Sequence, residues 1–249
     1  MMRRLVLIAC AGLLALPAAA RPAAPPRASA QLNQCHAALD AAQRWAVFGG
    51  TMRSLRSGQD RMGMRFDLFR RARGSLVFRR VAAPGLGVWN RANPGVGRFK
   101  FRQKVENLSA PAAYRAVVSF RWIDAAGRVF ARAQRVTPAC SQPDLRPDLR
   151  IVAVTRFAGA YHVTVRNAGR SPARGFDVSL TVGGGPVVPS QTVGVLRPGD
   201  PPRTLDFGGP RCADPVVATA DPGNVVPESN EANNTLTVGC LALGTRSPR

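Results

Sequence analysis

From Trp45 onward, apolar and polar residues alternate in short runs separated by Gly, Pro and Asn. Met64, Phe66 and Leu68 share one face of MRFDLF, and Phe99, Phe101 and Val105 share one face of RFKFRQKVEN. Tyr114–Trp122 and Arg128–Val136 read as a hairpin turning at Asp124–Gly127. A period of two with turn residues between the runs is the signature of half-buried antiparallel strands. Residues 31–44 break the rhythm. Leu32, Ala38, Leu39 and Ala42 lie near helical spacing, which predicts one helix there.

Pro143 and Pro147, set among charged residues in SQPDLRPDLR, disfavour both strand and helix and mark a linker. Seven short runs follow, near 149–156, 161–167, 176–182, 191–196, 203–207, 216–220 and 235–240. NAG, GGGP, RPGD, FGGP and DPGN separate them, with Gly183-Gly184-Gly185 read as a hairpin turn. Regular short strands over such a length argue for an immunoglobulin- or fibronectin-like sandwich. The predicted fold class is therefore all-β, two tandem β-sandwich-like domains, the second with about seven strands. The predicted organisation is a signal peptide (1–20), a Pro/Ala-rich spacer (21–30), a basic, mostly-β domain (31–142), a linker (143–147), a second sandwich (148–240) and a tail (241–249).

The first twenty residues carry Arg3 and Arg4, an apolar run from Leu5 to Leu16, and Ala18-Ala19-Ala20 as a small-residue cleavage site. Ala28-Ser29-Ala30 offers a second such site. The run is too short to span a bilayer, so export without a retained membrane span is expected. Leu7-Ile8-Ala9-Cys10 looks superficially like a lipidation motif, but the apolar run continues past Cys10. Cys35, Cys140, Cys212 and Cys240 then remain, an even number in an exported chain. Their positions suggest Cys35–Cys140 and Cys212–Cys240, one of three connectivities, each contributing about 3–5 kcal/mol. No CxxC pair exists, and His36 and His162 complete no zinc pattern.

Charge divides the chain. Residues 21–140 hold 22 Lys or Arg against five acids, a net +17, whereas residues 141–249 hold 11 against nine, a net +2. Nearly all of the positive charge is guanidinium, and a surface so basic attracts anionic polymers at low salt. Arg98, Lys100, Arg102 and Lys104 alternate on one strand face, and Arg115 and Arg121 on the following strand would widen that patch. Such a face either binds an anionic polymer or is a solvated surface that discourages edge-to-edge pairing. The aromatics alternate away from it, which weakens a nucleic-acid reading. Trp45, Trp89 and Trp122 are candidates for the core or for stacking on sugars. Trp89, amid turn residues, is the best exposed one.

The basic chain has one acidic stretch, Asp221 to Val238, with Asp221, Asn224, Glu228, Asn230, Glu231, Asn233 and Asn234. Asx and amide side chains build turns by bonding nearby backbone. Carboxylates at short spacing also suit Ca²⁺, with Asp221, Glu228 and Glu231 as ligands and amide oxygens beside them. The spacing is not that of an EF-hand. Both readings, a turn without cofactor and a calcium loop, stand at this point.

The second half resembles the CARDB family, bacterial domains named for cell-adhesion-related proteins. The likeness rests on Pro147-Asp148-Leu149, Val165-Arg166-Asn167-Ala168-Gly169, Leu196-Arg197-Pro198-Gly199, Asp221-Pro222 and Glu228-Ser229-Asn230-Glu231-Ala232-Asn233-Asn234. It implies a seven-stranded sandwich in an exported or surface protein, and a bacterial source in which the NLS and NNT triplets at Asn107 and Asn233 carry no glycan.

Enzyme signatures are missing: no GxSxG elbow, HExxH pair or Walker loop occurs, and Cys35 beside His36 makes no nucleophile pair. The expectation is a secreted, periplasmic or envelope protein without catalysis. Its CARDB-like module would meet a cell-surface protein or glycan. The alternative is a structural or anionic-polymer-binding protein working through the arginine-rich domain. Nucleic acid is not the expected partner.

Overall fold

A computed structural model describes residues 27–243. The expected signal segment (1–20), residues 21–26 of the expected spacer and the last six residues lie outside the described range. Sixteen strands and two single-turn 3-10 segments form the described chain. The strands are β1 (Ala28–His36), β2 (Trp45–Arg53), β3 (Arg61–Ala72), β4 (Arg79–Val81), β5 (Trp89–Arg91), β6 (Arg98–Glu106), β7 (Ala112–Ile123), β8 (Val129–Val136) and β9 (Cys140–Gln142) in the first half. The second half has β10 (Leu149–Phe157), β11 (Ala160–Asn167), β12 (Ala173–Val182), β13 (Gly185–Leu196), β14 (Arg203–Gly208), β15 (Val216–Ala220) and β16 (Thr235–Val238). The chain is all-β, in several sheets.

Buried apolar side chains separate into two cores. The first runs from Ala28 to Cys140 around Phe48, Met52, Phe66, Phe120 and Trp122. It lies between a three-stranded sheet, β1-β2-β6, and a six-stranded sheet, β4-β3-β7-β8, to which β5 and β9 add at β3 and β7. The alternation seen in the sequence is literal here. Along β7, Ala112, Tyr114, Ala116, Val118, Phe120 and Trp122 are buried while their neighbours face outward. The β7–β8 hairpin turns at Asp124–Gly127, whose ends are joined by the Gly127 N–H to the Asp124 carbonyl.

The second core is built from Leu149, Tyr161, Val163, Val165, Phe176, Val178, Leu180, Val193, Ala218 and their neighbours. Sheets β10-β11-β14 and β13-β12-β15-β16 enclose it, a seven-stranded sandwich. Residues 183–184 turn the β12–β13 hairpin, both glycines at positive φ.

Two expectations about the start of the chain are corrected. Residues 31–44 form no helix: β1 runs to His36, and only Ala41–Gln43 makes a 3-10 turn, capped by Asp40. The spacer also ends earlier than residue 30, because Ala28 begins β1. β1 carries a bulge between Leu32 and Gln34 in its pairing with β2. Of the four residues at helical spacing only Leu32 lies in β1; Leu39 and Ala42 are exposed in the connection after it, so the spacing marks no buried face. At the other end Leu243, assigned to the tail, packs into the second core.

Candidate functional site

Both suggested disulfides are present. Cys35–Cys140 joins β1 to β9, the first and last strands of the first sandwich, across its two sheets. Beside it the Gln142 side-chain amide donates to the His36 carbonyl at 3.0 Å. Cys212–Cys240 joins the segment before β15 to the turn after β16.

The acidic loop lies at one end of the second sandwich and makes a dense set of bonds to backbone. Asp221 takes the amides of Val225 (3.1 Å) and Val226 (2.8 Å). The Asn224 N–H closes a turn onto the Asp221 carbonyl, and both residues sit at positive φ, which Asp and Asn tolerate. Asn230 caps the 3-10 turn Glu231–Asn233 through Ala232 N–H at 3.1 Å. Glu231 reaches back to accept the Glu228 N–H at 2.7 Å, satisfying a backbone donor ahead of the turn. Glu228, 1% exposed, accepts from the Leu149 N–H and from the Asn234 amide.

That last contact joins the loop to β10, and further bonds follow it. The Ser229 N–H donates to the Pro147 carbonyl at 2.8 Å, and the Asn233 amide to Asp148 at 2.9 Å. Asn167 receives the N–H groups of Asp148 (3.1 Å) and Gly169 (2.9 Å) and donates to the carbonyls of Ser171 and Leu196. Gly169 is required by proximity: a Cβ there would stand 2.4–2.5 Å from the backbone of Pro147 and Asp148. Residues from 147 to 234 thus form one polar clasp between the first strand of the sandwich and the loop before its last strand.

Burial pushes the Glu228 carboxyl up to about 7, and the charges of Glu231 and Asp221 add to the shift. The bonds from Leu149 and Asn234 oppose it. Asp221, Glu228 and Glu231, the residues of the calcium reading, lie in one loop, and each accepts a backbone amide. Among the described residues no group of three or more His, Cys, Asp or Glu is arranged to hold a metal ion.

The basic patch is divided. Arg98, Lys100, Arg102 and Lys104 do alternate outward on β6, which is an edge strand paired only with β2. Lys104 pairs with Glu106 at 2.5 Å and lies over the Trp45 ring, which stacks on His36. Arg115 and Arg121 do not widen this face. The following strand, β7, is at the centre of the other sheet, so these two arginines face away on the opposite side of the sandwich. Residues 107–111 cross from one sheet to the other, so β6 and β7 follow one another in the chain without pairing.

On that opposite face Arg65, Arg71, Arg80, Arg91 and Arg132 join Arg115 and Arg121, placed there by strand register. Asp67 is the one carboxylate among them in the described residues, held by Arg65 at 3.0 Å and Arg80 at 2.5 Å. Trp89 lies in strand β5, half-buried, and not in the exposed turn that its neighbours suggested. Arg121 covers its ring at 3.9 Å and Arg65 approaches at 5.4 Å. Gly63 makes room for this stack, since a Cβ would meet Arg121 at 3.1 Å and Trp89 at 3.5 Å. Burial, then the charges of Arg91 and Arg65, hold the Arg121 guanidinium below its ordinary pKa. The Nε atoms of Arg115 and Arg121 are buried without a hydrogen-bond partner. Sequence reading missed Arg65, Arg71, Arg80, Arg91 and Arg132; the signal available was the outward parity of Arg65 and Arg71 in the same alternating run that supplied core residues. Trp122 is a core residue, its Nε1 donating to the Arg53 carbonyl at 2.7 Å. His162 sits within β11 and bonds Asp206 of β14 at 2.6 Å.

A seven-stranded sandwich stapled by a disulfide and closed by an Asx-rich clasp is an immunoglobulin-like domain of the kind found outside the cytoplasm. Residues 142–238 match the CARDB family, and the C-terminal half of this chain is a CARDB domain. No curated protein matches the chain. Among solved structures, a "putative cell surface protein" domain from Methanosarcina acetivorans is 33% identical, with 37% of this chain and 89% of that one covered at a TM-score of 0.33. Red sea bream transglutaminase (11% identity, 87% of this chain and 31% of that one, TM-score 0.30) and the class 5 fimbriae chaperone CfaA (10%, 84% and 98%, TM-score 0.27) are also similar. At these TM-scores none of the three bears on activity or partner.

Proposed function

We propose that this is an extracytoplasmic, non-enzymatic protein of adhesion type, whose CARDB sandwich engages a protein or glycan at the cell surface. The carrying observation is the clasp. Within the CARDB segment Asn167, Asp221, Glu228 and Glu231 accept backbone N–H groups, and Asn233 and Asn234 bond Asp148 and Glu228, which supports a rigid binding module as the role of these motif residues. Two disulfides support residence in an oxidising compartment. No helix of the described residues is long and apolar enough to cross a membrane. The test is retention of the full chain on cell-envelope fragments, with and without chelator. Retention that survives ~0.5 M salt, where surface charge is screened over a few ångströms, is expected. Loss of retention with chelator, restored by added calcium, would mean that retention depends on calcium. No retention at any salt sinks the proposal.

A second reading has its own observation. The arginine-bearing outer face of the β3–β7–β8 sheet supports binding of an anionic polymer by the N-terminal domain, and release of the full chain by ~0.5 M salt would favour it.

A further inference from the structure

The outer face of the six-stranded sheet carries the same arrangement twice. Arg65 of β3 stands opposite Ser119 of β7, and Arg121 lies two residues further along; Arg71 stands opposite Ala113, and Arg115 lies two residues further along. Each diagonal arginine pair encloses one aromatic ring supplied from outside the two strands. Trp89 of β5 has Arg121 at 3.9 Å and Arg65 at 5.4 Å; Phe78, in the segment before β4, has Arg115 at 4.0 Å and Arg71 at 5.0 Å. In both units the β7 arginine has a buried Nε with no partner. Six residues separate the units on both strands, about 20 Å of strand.

Stacking on a ring fixes the plane of a guanidinium and leaves its Nη edge free to grip an oxyanion through two parallel bonds. Around the first unit, Arg65, Trp89, Ser119, Arg121, Arg132 and Gln134 line a shallow pocket of about 590 Å³, and the nearby carboxylate, Asp67, is paired with Arg65 and Arg80. A small anion would occupy one unit. Two units in line on one flat sheet suit an extended chain with repeated charges. The rings are already covered by guanidinium, so they offer bases no free stacking platform of the kind single-stranded nucleic acid uses.

We infer that the Arg65–Trp89–Arg121 and Arg71–Phe78–Arg115 clamps form a track that binds an anionic polysaccharide through its carboxylates or sulfates. The inference rests on the second functional reading above and places it on the β3–β7 face, away from the lysine- and arginine-bearing strand β6. Its oxyanions bridge the clamp arginines, while Arg91 and Arg132 add long-range attraction.

The test uses the full chain, titrated with heparin (sulfated), polygalacturonate (carboxylate only), neutral dextran and a single-stranded oligonucleotide at about 0.15 M salt. Two double variants are compared, Arg65→Gln with Arg121→Gln, and Arg71→Gln with Arg115→Gln. The control is Arg98→Gln with Lys100→Gln, equal in charge removed but on the opposite face. Thermal unfolding of each variant confirms that it folds. Each clamp variant should weaken polysaccharide binding by about tenfold or more, as loss of two charge-assisted bonds implies, and the control by about twofold or less. Heparin and polygalacturonate then tell which oxyanion is preferred. Equal losses in clamp and control variants would overturn the clamps while leaving a general polyanion surface. Preferential binding of the oligonucleotide would overturn the ligand class. Failure of the unaltered chain to bind any polyanion would remove both the track and the reading beneath it.

Discussion

The two sandwiches solve one problem by different means. Each must hold its first strand against its last across two sheets. The N-terminal domain does it covalently, with Cys35 of β1 bonded to Cys140 of β9. The C-terminal domain does it with polar groups, Glu228, Ser229 and Asn233 of the loop before β16 bonding Pro147, Asp148 and Leu149 at the start of β10. The difference shows in where each domain sends its polar residues. The first turns arginines outward on both sheets, at a net +17 over residues 21–140. The second, near neutrality, turns Asn and acidic groups inward. A domain closed by a disulfide has polar residues to spare for its surface; one closed by hydrogen bonds commits them to its fold.

Removing the covalent closure should have the larger effect. With a sequence separation of 105 for Cys35–Cys140 and 28 for Cys212–Cys240, the loop-entropy model assigns about 5 and about 3.5 kcal/mol respectively. Paired Cys→Ser substitutions at 35 and 140 should lower the unfolding transition of the first domain more than those at 212 and 240 lower that of the second, followed by calorimetry. The second domain keeps its clasp in either case. If the 212/240 variant proved the more damaged, the clasp would not be what closes that sandwich.

The reciprocal break is Gly169→Ala. The added methyl would stand 2.4 Å from the Asp148 nitrogen, with backbone on the other side that cannot swing away as a side chain does. Overpacking against backbone should cost about 3 kcal/mol. The loss should appear in the C-terminal transition alone, with the N-terminal one unmoved. A variant as stable as the parent chain would show that the linker and the 167–169 turn part at little cost.

The contrast also explains what could be read in advance. Strands were legible wherever one face is buried, because Ala116, Val118 and Phe120 must alternate with exposed neighbours. The seven strands of the second domain were marked by turns that only Gly, Pro, Asn or Asp make easily. The residues of the clasp were visible as motifs, but their convergence was not, since Asp148, Asn167 and Glu228 meet only once both sheets are stacked. The arginine face was misplaced for the same reason. Parity along β6 and β7 is a local property, whereas membership of a sheet depends on which strands cross over. The helix expected at 31–44 failed because Leu32 belongs to β1 while Leu39 and Ala42 lie exposed in the connection after it, so their spacing marks no buried face.

The smallest effect separates the closures by pH. Glu228 is buried, with Glu231 and Asp221 nearby, and titrates near 7 when folded against 4.5 as an ordinary glutamate. Asp148, bonded to Asn233 and paired with Arg150, faces the same clasp, and Arg146 lies near Glu231. The folded state therefore holds a proton that the unfolded chain has released. Its stabilising effect is complete below about pH 4.5 and is lost as pH rises through 7, on the order of 2 kcal/mol. Glu228→Gln keeps the shape of the protonated acid at every pH, and the unpartnered Oδ1 of Asn234 offers its new amide an acceptor once that side chain flips. Denaturant unfolding at pH 5 and 7.5 should show the unaltered second domain losing stability between the two values and the variant holding level. The first domain should change less over this interval, because the carboxyls displaced there are held low: Asp124 chiefly by the Arg128 backbone N–H, and Asp60, whose burial is outweighed, by bonds from Ser54 and Leu55. Parallel pH profiles for the two proteins would mean that the bonds from Leu149 and Asn234 outweigh burial and keep Glu228 ionised within the clasp.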